Sequence, residues 1–95
     1  MLKILARCEL KPGTLEKAGA LYKELVEKTR QEKGCIEYGF FVDLEDASKA
    51  CFVETWESAE ALDAHVKSEH FTRIFPQLGE LGASMGEVSR MQEFK

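Results

Sequence analysis

Two stretches decide how this chain folds: Cys35-Ile36-Glu37-Tyr38-Gly39-Phe40-Phe41-Val42 and Ala50-Cys51-Phe52-Val53-Glu54-Thr55-Trp56. Both are rich in β-branched and aromatic residues, and the polar run Leu44-Glu45-Asp46-Ala47-Ser48-Lys49 between them has the composition of a turn. The pair reads as a hairpin. Side chains alternate along a strand, so Ile36, Tyr38, Phe40 and Val42 share one face, while Gly39 and Phe41 share the other.

On the N-terminal side lies a further alternating segment. Leu2, Ile4, Ala6, Cys8 and Leu10 fall on one face and Lys3, Leu5, Arg7 and Glu9 on the other, which predicts a strand. Lys11-Pro12-Gly13-Thr14 stops it, with Thr14 suited to cap a helix. Leu15, Ala18, Tyr22, Leu25, Val26 and Thr29 then recur at helical spacing, and Gly34 is the natural left-handed residue after the helix. On the C-terminal side, Ser58 caps a helix from Ala59 to about Lys67, and Ser68 caps another from Glu69 to about Phe75. Pro76 predicts a kink or a fresh helical turn. A loop carrying Gly79, Gly82 and Gly86 leads to a last strand from Glu87 to Phe94. The order β-α-β-β-α-β is that of an α+β, ferredoxin-like domain: one four-stranded antiparallel sheet with its helices on one face. Residues 1–95 form a single domain, without linker or repeat.

The composition excludes several classes of function. Thirteen Lys and Arg against 17 Asp and Glu give a net charge of −4, which opposes nucleic-acid binding. No apolar run approaches the ~20 residues of a membrane span, and no signal peptide is visible, so a cytoplasmic location is expected. Three cysteines, Cys8, Cys35 and Cys51, match no zinc or redox spacing and read as reduced thiols. The hairpin carries large apolar residues on both faces, including Phe41, Cys51 and Val53 on the face away from the helices. The chain has no spare element to cover that face, so a homodimer with sheets packed face to face is expected.

The chemistry-bearing side chains gather in Glu54, Trp56, His65 and His70, with Tyr38 on the neighbouring strand. Glu54 and Trp56 share a strand face with Phe52, where a carboxylate needs a donor. A carboxylate that orients an imidazole makes a general base near neutral pH. Each residue also has a plainer structural use: a histidine at the core edge or in solvent, a packed indole, or a salt-bridged glutamate. Metal binding is not expected. Zinc-binding helices place histidines four apart, about 40° around the helix, whereas His65 and His70 are five apart, about 140°. No dinucleotide-binding loop is present, and no serine sits at a strand-to-helix nucleophile elbow. What remains is an aromatic-walled cavity between sheet and helices, suited to a small aromatic or quinone-like ligand.

Four segments carry a resemblance: Lys11-Pro12-Gly13; Thr29-Arg30-Gln31-Glu32-Lys33-Gly34-Cys35-Ile36-Glu37-Tyr38; Val53-Glu54-Thr55-Trp56-Glu57-Ser58; and His65-Val66-Lys67-Ser68-Glu69-His70-Phe71. In this order they resemble the antibiotic-biosynthesis monooxygenase (ABM) domain family over nearly the whole chain. The resemblance implies a dimeric α+β barrel and cofactor-independent oxygenation of phenolic or quinol-type aromatics, without metal or flavin. On that reading His65 or His70 takes the substrate proton and Glu54 orients the imidazole. Trp56, Tyr38 and Phe52 hold the ring, and Arg7 or Arg73 stabilises negative charge. Haem-degrading relatives use a histidine where this chain has Arg73-Ile74-Phe75-Pro76, so it looks unlike them. Two other readings stay open: a non-catalytic dimeric ligand-binding module, and an isomerase of a small phosphorylated metabolite.

Overall fold

Residues Leu2–Leu10 form strand β1, and its alternation is the one its sequence dictates. Ile4, Ala6, Cys8 and Leu10 are buried, while Lys3, Arg7 and Glu9 face solvent. The structure, a computed structural model, describes all 95 residues. After β1 come α1 (Thr14–Thr29), β2 (Cys35–Val42), β3 (Lys49–Trp56), α2 (Ala59–Val66), α3 (Glu69–Glu80) and β4 (Ala83–Gln92). The strands make one antiparallel sheet in the order β2-β3-β1-β4, the ferredoxin-like α+β fold. No helix is long and apolar enough to cross a membrane.

The core is a single cluster between the inner sheet face and the helices, with Ala18, Tyr22 and Leu25 from α1 and Ile74 and Leu78 from α3 packed over β1 and β3. Aromatic rings fill its β2–β3 side. Tyr22 stacks on Phe40 with centroids 4.0 Å apart, and Phe52 meets Phe40 at 4.8 Å and Tyr38 at 5.6 Å.

Four local expectations change. Gly13, with φ of +87°, is the residue before α1; Thr14 instead donates its hydroxyl to the Lys11 carbonyl at 2.7 Å and tightens the turn. A bulge between Cys35 and Glu37 removes Ile36 from the alternation, and its side chain is exposed rather than facing the core with Tyr38. Pro76 sits inside α3 instead of ending it. The carbonyl it cannot serve belongs to Thr72, an exposed residue that water can reach. Finally β4 begins at Ala83, four residues before the expected Glu87, because Leu10 pairs with Ala83 directly after the Gly82 turn. As an edge strand exposed along most of its length, β4 has no apolar pattern to announce it.

Candidate active site

The turn Arg30–Gly34 carries Glu32 out of α1 and onto α2. Its backbone is closed by Glu32 N–H to the Thr29 carbonyl at 3.0 Å and Cys35 N–H to the Glu32 carbonyl at 3.1 Å. Glu57 N–H then fastens the Gly34 carbonyl at 2.8 Å. Gly34 has φ of +88°, and a Cβ there would lie 2.6 Å from that of Ala61, so only glycine lets the turn press against α2.

His65 occupies the last turn of α2 and His70 the first turn of α3. They would diverge on one continuous helix. Ser68 breaks it: the Ser68 hydroxyl donates to the His65 carbonyl at 2.6 Å and accepts from Phe71 N–H at 3.3 Å. The break brings the two imidazoles to a centroid separation of 6.3 Å. Between them lies one oxygen of Glu32, with His65 Nδ1 at 2.8 Å and His70 Nε2 at 2.6 Å. A carboxylate has no hydrogen to give, so each ring donates an N–H to it. In the neutral rings the free lone pairs therefore lie on His65 Nε2 and His70 Nδ1.

The His65 ring is 2% exposed, against Trp56 at 4.9 Å, Tyr38 at 5.3 Å and Phe71 at 4.9 Å between centroids. Burial outweighs the pull of Glu32 and holds His65 below the ordinary histidine value, so the ring is neutral at pH 7. Burial likewise pushes the Tyr38 phenol well up, and Tyr38 keeps its proton. Cys8 and Cys35 are pushed up to about 11 by burial, so neither is an activated thiol.

The structure therefore assigns the orienting carboxylate to Glu32. Glu54, expected in that role, instead accepts from Trp56 Nε1 at 2.9 Å, and burial raises its carboxyl above the usual range. Trp56 is fully buried behind His65 and offers no open face for stacking. Neither arginine joins the imidazoles. Arg7 lies on the outer sheet face, donating to Ser89 at 3.0 Å, and Arg73 is held by Glu24 and Glu69 on the outside of the helices. Phe52 and Tyr22 line a partly open 240 Å³ hollow between α3 and the sheet, bordered by Phe75, Pro76 and Met85. The imidazoles lie outside this cavity, joined to it by Phe71 and Phe75, which stack at 4.7 Å. Larger hollows of 620 Å³ are open depressions elsewhere, one of them on the outer sheet face beside Arg7, Phe41 and Cys51.

Sequence reasoning alone singles out neither Glu32 nor Phe71. Glu32 sits in a polar turn with no periodicity, and its only signal is its place within the Thr29–Tyr38 segment that carries the family resemblance. The metal expectation also shifts. Glu32, His65 and His70 present three donor atoms within 4.8 Å of one another, a convergence that spacing along one helix rules out and the Ser68 break restores.

The sequence model of the antibiotic biosynthesis monooxygenase family matches residues 1–77, and the chain belongs to that family. It is 31% identical over 78 residues to Rv0793 of Mycobacterium tuberculosis, a candidate monooxygenase, covering 82% of this chain and 76% of that protein. An uncharacterized Synechocystis protein, sll1783, is 29% identical over 85 residues covering 90% of this chain, which spans 58% of the length of sll1783. Among solved structures, one of an antibiotic biosynthesis monooxygenase is 39% identical, with a TM-score of 0.90 and 100% of both chains covered. A conserved protein of Methanosarcina mazei Go1 is 32% identical with a TM-score of 0.90, covering 98% of this chain and 92% of that one.

Proposed function

We propose that this protein is a cofactor-independent monooxygenase acting on a small aromatic substrate of quinol or phenol type, as a cytoplasmic homodimer. One observation carries the reading: a buried imidazole, fixed through Nδ1 by Glu32 and walled by Tyr38, Trp56 and Phe71, has its other nitrogen free to take a proton. Family membership supplies the reaction class.

The substrate ring enters the 240 Å³ cavity and reaches His65 as the half-buried Phe71 swings aside. His65 Nε2, or His70 Nδ1 at the rim, removes a phenolic or benzylic proton. The carbanionic ring then reduces O₂ in a water-poor site. One oxygen atom becomes a carbonyl in place of two hydrogens, both from a benzylic CH₂ or one from a ring C–H and one from the phenolic O–H, and the other oxygen leaves with them as water. The substrate itself supplies every electron, so no external reductant enters the balance. Glu32 keeps both rings oriented and favours the imidazolium that forms.

The homodimer is proposed on the outer sheet face, where Leu5, Phe41, Cys51 and Val53 lie together. A second reading, a ligand-binding module without turnover, is favoured by Phe71 standing between cavity and imidazole. Oxygen uptake by the purified protein with a panel of quinols and an anthrone, with and without air, tests both. Oxygen consumption lost in His65→Ala and His70→Ala supports the oxygenase. Trp56 fluorescence changes without oxygen uptake leave the binding module, and conversion of a phosphorylated substrate without air points to an isomerase.

A further inference from the structure

We infer that Glu32, His65 and His70 form a binding site for a divalent transition-metal ion of the zinc class. Their donor atoms are two imidazole nitrogens and one carboxylate oxygen, a set that zinc and its neighbours favour. All three atoms lie within 4.8 Å of one another, and His65 Nδ1 and His70 Nε2 approach the same oxygen. Ligand bonds of about 2.0–2.2 Å place tetrahedral ligand atoms roughly 3.3 Å apart. The contacts of 2.8 and 2.6 Å therefore open by about 0.5–0.7 Å when an ion replaces the two bridging protons.

The three ligands come from separate elements, the turn after α1, the end of α2 and the start of α3, so the site is set by tertiary structure and not by local spacing. His65 is the rigid anchor, its ring gripped by Trp56, Tyr38 and Phe71. Glu32 and His70 are each 14% exposed at the side chain, which leaves an approach for the ion and a position for water. Three protein ligands with an open fourth position are the pattern of an exchangeable site.

An ion at this place has a chemical consequence for the rings. It takes the lone pairs of His65 Nδ1 and His70 Nε2, so the ring protons move to His65 Nε2 and His70 Nδ1. The nitrogens that serve as bases in the metal-free protein are then blocked. The binding claim itself does not rest on the oxygenase reading, because it concerns ligand atoms only.

The test is equilibrium dialysis of the purified full-length chain against Zn²⁺, with Co²⁺ as the spectroscopic probe. One ion per chain is expected, with Co²⁺ giving visible ligand-field absorption and no thiolate charge-transfer band. Glu32→Ala and His70→Ala, both at the accessible rim, should each weaken binding on the order of 10–100-fold or more. A Cys35→Ser/Cys51→Ser variant should bind as the parent does. His65→Ala is informative only if its circular dichroism is native, so the two rim variants carry the decision. No stoichiometric uptake of either ion, or uptake unaltered in both rim variants, overturns the inference. These outcomes are read without any substrate, so loss of the site and absence of oxygenation remain separate results.

Discussion

Glu32 and His65, 33 residues apart in sequence, meet through Oε2 and Nδ1 at 2.8 Å, and the same oxygen holds His70 Nε2 at 2.6 Å. One carboxylate thus ties the turn after α1 to the break between α2 and α3. The two imidazoles differ in what they lose without it. His65 is buried and has no water to turn to, whereas His70 stands at the rim.

Glu32→Ala should therefore destabilise the fold by about 1–3 kcal/mol, the cost of an unsatisfied buried donor. His70→Ala should cost under about 1 kcal/mol, and the double variant should cost less than the two singles together. Urea denaturation curves with unchanged slopes measure all three.

Glu54 supplies a pH signature. Burial raises its folded carboxyl value, so the native state holds that proton more tightly than the unfolded chain. Its contribution to stability is full below the unfolded value and is lost as pH rises through the higher folded one. Glu54→Gln has no charge to bury. As pH rises from the unfolded carboxyl value to the raised folded one, the stability of the variant relative to the parent should rise and then level off, as followed by denaturant midpoints. A difference independent of pH would refute the prediction.

Two glycines predict opposite outcomes. Gly34→Ala forces a side chain into φ of +88° and onto Ala61, and should destabilise by more than about 1 kcal/mol. Adding Ala61→Gly relieves the contact but not the backbone strain. Gly19 lies inside α1, and a Cβ placed there would meet nothing within 4 Å, so Gly19→Ala should stabilise by about 0.5–1 kcal/mol. Thermal melts of the three variants settle the signs.

The proposed dimer predicts a molar mass twice that of the chain by light scattering at micromolar concentration. Phe41→Asp places a charge on the outer face, where Phe41 is 60% exposed in the single chain, and should yield a folded monomer. A parent protein that is already monomeric contradicts the proposal.

Where the sequence carries strong periodicity, it is a sound guide to the fold. Alternation in β1, the helical stripe of α1 and the aromatic hairpin each report a face pressed on the core. Ile36 misleads because a bulge is invisible to alternation, and β4 because an edge strand need not bury anything. The histidines stand out by residue type, yet their partner does not. Glu54 is the nearer carboxylate by strand geometry, but Trp56, two residues on, claims it with its own N–H. Glu32 is brought in by tertiary packing at a glycine, which no period along the chain records.

The five-residue turn Arg30–Gly34 has a consequence for tracing this chemistry among related sequences. Its ends are fixed to α1 and to the start of β2, so inserting or deleting one residue would rotate Glu32 away while leaving sheet and helices intact. Turn length is therefore a ruler: a related chain needs the same count, a glutamate third, a glycine fifth and both histidines to build the triad, and one that changes the count should retain only the scaffold.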